Sequence, residues 1–147
     1  MKTIFNKSNR ESLIERLNKL DSEKKNLWGE FTCVNMLAHL ADALKLVLGK
    51  LSVKPIKSPF FHWPLNKLAI HWLPMPKNAS TAPELIARKG DSIETERELI
   101  IQQMEEFANQ EGSIGVFNHP IFGKLSKKSL GVLIYKHTDH HLKQFGV

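Results

Sequence analysis

Four stretches of this chain repeat apolar residues at helical spacing, and a proline-rich connection separates the second from the third. That pattern constrains the fold more than any other feature. Leu13, Ile14, Leu17 and Leu20 form the first stripe, and Met36, Leu40, Ala43, Leu44 and Val47 the second. Ile93, Leu99, Ile100, Met104 and Phe107 form the third, and Leu130, Leu133, Ile134, His137, His141 and Phe145 the fourth. Residues three and four apart share one helix face, so each stretch predicts an amphipathic helix with one side turned to a core. No strand-like alternation competes with them. Four helices with one long crossover predict an all-α fold, a four-helix bundle with a long connection between helices 2 and 3, in one domain over residues 1–147.

Punctuation residues set the expected boundaries. Ser8 with Glu11 has the spacing of a capping box for the first helix, which should stop near Asp21. Thr32 should cap the second helix, and Gly49 is placed to end it. Asp91 with Glu94 should start the third, ending before Gly112. Residues 112–125 read as a loop, and Ser126 should cap the fourth helix. Residues 50–83 hold all but one of the 7 prolines, with one short helix expected near Leu65–Leu73. Phe60, Phe61, Trp63, Trp72, Leu73 and Met75 make this connection rich in large apolar groups. It should wrap the bundle, line a pocket mouth or form a homodimer contact.

Composition narrows the class. Hydrophobic residues make up 41% and charged residues 24%, so the chain can bury a core without staples. The longest apolar run, Met36 to Leu48, is broken by His39, Asp42 and Lys45, so no segment should span a bilayer. The N-terminal apolar stretch is too short for a secretory signal, and the single cysteine, Cys33, excludes an internal disulfide. A soluble cytoplasmic protein is expected. A net charge of +6 raises nucleic acid as a partner, but the lysines are spread widely and residues 84–111 are acidic, which argues against it.

Chemistry concentrates in the histidines. His137 and His141 are four apart on the fourth stripe, which turns both rings to one face. His39 lies beside the stripe of the second helix. Buried imidazoles need partners, and a divalent metal ion satisfies three at once while keeping a coordination position open, as catalytic rather than structural sites do. Hydrogen-bonded core histidines are the competing reading. Asp42, three after His39, reads either as the partner that orients an imidazole or as a surface charge. Gln144, three after His141, is placed to hydrogen-bond near the site, His140 flanks it, and Asp139 should be solvated. Thr138 follows His137, so the His-Glu-x-x-His protease arrangement is absent and no carboxylate is placed as a general base. Cys33 at a helix start reads as a nucleophile or, more plainly, as an inert buried thiol. His62, His71 and His119 fall in loops, with His119 placed to fix its own.

The run Met36-Leu37-Ala38-His39-Leu40-Ala41-Asp42, the run His137-Thr138-Asp139-His140-His141-Leu142-Lys143-Gln144, and His119-Pro120-Ile121-Phe122-Gly123-Lys124-Leu125-Ser126 occur in this order. Together with Trp28-Gly29 and Thr81-Ala82-Pro83-Glu84-Leu85, they resemble segments of the DinB-like (YfiT-like) superfamily. The resemblance covers nearly the whole chain and points to a subgroup with no assigned function. It implies a four-helix bundle with a three-histidine metal site, which falls on His39, His137 and His141. Relatives include thiol-dependent transferases and isomerases. One departure is Leu130, where relatives often carry an aromatic expected to pack near the site.

These readings predict a divalent-metal-dependent enzyme of hydrolase or low-molecular-weight-thiol transferase type, acting on a small-molecule substrate. Zinc or nickel is the favoured ion, with iron or manganese also compatible with three imidazoles. The alternative is a non-enzymatic small-ligand-binding or dimerisation module on the same bundle.

Overall fold

The computed structural model describes residues 1–147. It is mostly helical: α1 Lys7–Leu17, α2 Cys33–Val47, α3 Leu65–His71, α4 Ile93–Asn109 and α5 Lys127–Gln144. Short 3-10 turns lie at Pro59–Phe61 and Pro83–Leu85. The long helices pack on one another: α2 along α4, α1 against α5 and α4, and α2 against α5. A cluster of buried apolar residues runs between them, with Leu17, Leu40, Ile100, Met104 and Phe107 almost fully enclosed. Each such side chain contributes about 1.5–3 kcal/mol of burial, against the entropy of ordering it. No helix is long and apolar enough to cross a membrane.

Side-chain caps fix where the helices begin. Thr32 Oγ1 accepts from the Asn35 amide at 3.3 Å, and Ser126 Oγ accepts from the Ser129 amide at 3.3 Å, both as expected. Gly49 follows α2 with φ +73, a left-handed conformation that needs no Cβ. Three boundaries differ from expectation. Asn6, not Ser8, caps α1, because its Oδ1 accepts from Asn9 N at 3.0 Å. The preceding segment is held against α5 by the Ile4 N to Gly131 O bond, which sets where the chain can turn into the helix. α1 ends at Leu17, short of Asp21, although Leu20 stays buried in the turn beyond. Ser92, not Asp91, caps α4 through the Thr95 amide at 3.1 Å.

A two-stranded sheet is the main addition to the helical plan. β1 Phe117–His119 pairs antiparallel with β2 Gly123–Leu125, with Phe117 opposite Leu125. It lies inside the stretch read as a loop. The connection of residues 50–83 supports it: Ile56 N donates to Pro120 O at 3.0 Å, and Asn66 Nδ2 donates to Phe122 O at 3.1 Å. Its short helix, α3, packs on α5. Lys136 Nζ ties the two by donating to the carbonyls of Ala69, Ile70 and Leu73, groups left unpaired at the end of α3. The connection therefore covers α5 and the hairpin, while Trp63 and Trp72 remain exposed.

Candidate metal centre

α2 supplies His39, and α5 supplies His137 and His141 one turn apart. Each ring offers a nitrogen, and these atoms all lie within 4.8 Å of one another. His39 and His141 are buried, and His137 is partly exposed. The ring centroids are 4.8–4.9 Å apart and nearly perpendicular. Phe31 stacks on His39 at 5.3 Å and meets His141 edge-on at 5.8 Å.

Neighbouring groups decide which nitrogens are free. His39 Nδ1 lies 3.1 Å from the Leu85 carbonyl. A carbonyl can only accept, so this nitrogen carries the proton and the Nε2 lone pair is left open. Gln144 Nε2 donates to the Trp28 carbonyl at 2.7 Å, which turns Gln144 Oε1 towards His141 Nδ1 at 2.8 Å. His141 therefore also protonates Nδ1 and frees Nε2. His137 Nε2 lies 3.0 Å from His39 Nε2. A tetrahedral ion bound at about 2.0–2.1 Å needs imidazole nitrogens roughly 3.3 Å apart; the His39–His137 pair is near that spacing, and the set, spread over as much as 4.8 Å, would draw together around a small divalent ion.

Electrostatics point the same way. Burial lowers the pKa of His39, although the Leu85 carbonyl and Asp42 oppose it. Burial and then the His141 and His39 rings hold His137 well below the usual imidazole range. Burial, reinforced by His39, pushes His141 down to about 3. Neutral imidazole is the metal-binding form, so these shifts keep the ligands available.

Close backbone approach builds the Gln144 contact. Gly29 has φ +77, and a Cβ there would stand 2.6 Å from Gln144 Nε2. Leu27 N also donates to Gln144 O at 2.7 Å, so residues 27–29 clasp the end of α5.

The other residues singled out from sequence fall elsewhere. Asp42 does not orient a histidine; its carboxylate takes Arg88 Nε at 3.1 and 3.2 Å and Lys45 Nζ at 3.0 Å. Arg88 also donates to Glu96, which is 1% exposed, and to the Ala38 carbonyl. This ion cluster pins the segment that carries the Leu85 carbonyl, so it acts on His39 only from a distance. Asp139 is half-buried rather than solvated and joins Arg16 of α1 at 2.6 Å and Lys143 at 2.8 Å. His140 packs edge-on against Trp28 and His141, outside the cluster. Leu130 is buried in the apolar core, two helical turns before His137. Cys33 is buried and its thiol is raised to about 11, chiefly by burial, which removes it as a nucleophile at neutral pH. His119 accepts the Ile121 amide at 3.1 Å and fixes its loop. His71 ends α3 rather than lying in a loop.

Sequence reasoning missed three contributors. Phe31 precedes the Thr32 cap and gave no sign beyond its apolar character. The Leu85 and Trp28 carbonyls are backbone groups, although both residues lie in segments that carried the family resemblance.

No curated protein and no solved structure shows significant similarity to the chain. Residues 5–146 match a family model described as a protein of unknown function, and the chain belongs to this family, DUF1569.

Proposed function

We propose that this protein is a divalent-metal-dependent enzyme whose ion is held by His39, His137 and His141. One observation carries the reading: two of the three rings have their Nδ1 protons engaged by outside acceptors, which turns both Nε2 lone pairs into a cluster that has no carboxylate and at most one proton, that of His137, to share among three nitrogens. A buried group of lone pairs is unfavourable unless a cation or proton meets them, and the depressed pKa values disfavour the proton. A divalent ion there supplies Lewis-acid chemistry at an open coordination position. Leu85 and Gln144 orient the ligands, Phe31 packs against two of the rings, and His137 is the least buried of the three.

We further propose that the architecture is the DinB-like (YfiT-like) four-helix bundle. The mutual packing of α1, α2, α4 and α5 supports this, as does the origin of the ligands on the second and last of them. On that reading the reaction is hydrolysis or transfer of a low-molecular-weight thiol to a small molecule. Zinc and nickel are the favoured ions, because three imidazoles suit both.

The test compares metal-loaded protein with chelator-stripped protein, screening ester and amide hydrolysis and the consumption of a small thiol with an electrophile. Turnover that requires metal and disappears in His137→Ala is expected. Metal binding with no turnover in either screen would contradict the enzyme reading and leave a binding module.

A further inference from the structure

A cavity of about 350 Å³ lies away from the three histidines, between the end of α3 and the first turn of α5. Lys67, His71 and Trp72 line it from one side, Lys128 and Ser129 from the other, and Met1 borders it. That volume lies within the range of small-molecule sites, about 300–1,000 Å³.

Its lining is organised. Ser129 is 4% exposed and accepts from Ser126 Oγ at 3.2 Å, and its own Oγ lies 3.0 Å from His71 Nε2. The Ser129 hydroxyl is able to donate to Nε2 or to accept from it, so this contact is compatible with a ring proton on either nitrogen. The group facing Nδ1 is Met1 Sδ at 3.0 Å, a thioether and therefore a weak hydrogen-bond partner. The Nδ1 side of His71 therefore has no strong partner.

The charge around it is one-sided. No acidic side chain lines the cavity, and neither Lys67 nor Lys128 makes an ion pair. Residues 43–83 contain no aspartate or glutamate. Burial lowers the pKa of His71, and Lys128, Lys67 and Lys136 lower it further, so positive charge converges here without a counter-charge. The start of α5 adds its positive end to the same side.

We propose that this cavity is a binding site for a phosphate group, independent of the histidine centre. Lys67 and Lys128 neutralise the charge, His71 in its Nδ1–H tautomer exchanges the thioether contact for a phosphate oxygen, and Trp72 packs on the remainder of the ligand. Two sources supply this chemistry: a soluble phosphate ester or a phospholipid headgroup. Trp63, Leu65 and Leu68, exposed in and just before the helix that carries Lys67 and His71, suit the second, as Trp72 in the lining suits the first.

The test titrates inorganic phosphate into the protein at constant ionic strength, following tryptophan fluorescence and heat. Wild type is compared with the double variant Lys67→Met/Lys128→Met and with His137→Ala. Both lysines are exposed, so the double variant should keep the wild-type melting temperature. Saturable binding is expected, weakened at least about ten-fold in the double variant and unchanged in His137→Ala. No saturable binding, or equal binding in the double variant, would overturn the proposal. Loss of binding in His137→Ala would place phosphate at the histidine centre and overturn it too. A second arm sediments the protein with phosphatidylcholine vesicles with and without phosphatidic acid. Phosphatidic-acid-dependent sedimentation that the double variant loses supports the site with a lipid source. Phosphate binding without sedimentation supports it with a soluble ester. Sedimentation that the double variant retains would overturn it.

Discussion

His39 and Asp42 sit one turn apart on α2, both almost fully buried, yet they are satisfied in opposite ways. Asp42 belongs to a closed set of charges. Arg88 meets both Asp42 and Glu96, Lys45 adds a second cation, and the remaining Arg88 donor finds the Ala38 carbonyl. Every group there has a partner from this chain. His39 belongs to an open set, in which the outer nitrogens of His39 and His141 are engaged and the inner ones face one another with too few protons to pair them. Burial of polar residues therefore does not mark a functional site by itself. What marks it is bonding capacity that the chain leaves unfilled.

The largest effect should come from opening the closed set. Arg88→Met leaves two buried carboxylates short of their main partner, and should cost about 3–5 kcal/mol in chemical denaturation. Glu96 is held below its ordinary value chiefly by Arg88, so this stability is present above about pH 4.5 and is lost as pH falls through the depressed value. A loss below about 1 kcal/mol would mean that the charges contribute little.

Gln144→Met sharpens the contrast from the other side. It removes the acceptor that fixes the His141 tautomer and should weaken metal affinity about 10–100-fold in competition with a chelator. The metal-free stability should change much less than in Arg88→Met. Gly29→Ala should do both to a smaller degree. Its positive φ costs about 1–2 kcal/mol, and its Cβ displaces the Gln144 amide, so the stability loss should be accompanied by weaker metal binding. Unchanged affinity in that variant would separate Gly29 from the centre.

The smallest effect tests a histidine outside both sets. Burial pushes His119 down to about 4, below the ordinary 6.5. The unfolded chain therefore takes up a proton that the folded one refuses, and stability should decline as pH drops from 6.5 towards 4. The loss attributable to His119 should be on the order of 1 kcal/mol, and His119→Gln should flatten that part of the pH profile.

Much of the site was legible in the sequence because it rests on local spacing. The four-residue step from His137 to His141 and the three-residue step from His141 to Gln144 are helical facts, as are the caps at Thr32 and Ser126. The remainder depends on distant partners. Asp42 has the spacing to serve His39, but Arg88, 46 residues later, takes its carboxylate. The acceptor for His39 is a backbone carbonyl, also 46 residues away, and such a group leaves no trace in residue type. Strands of three residues are too short to show alternation, and the hairpin is braced by Ile56 and Asn66 from the connection. Asn6 rather than Ser8 caps α1 because a contact with Gly131 fixes the approach of the chain.

Elemental analysis of tag-free protein, wild type beside His137→Ala, tests the central claim most directly. A divalent transition metal near one equivalent per chain in wild type, absent from the variant, is the predicted result. Wild-type protein that holds no metal after incubation with zinc, nickel or manganese, or a variant that holds as much as wild type, would contradict it.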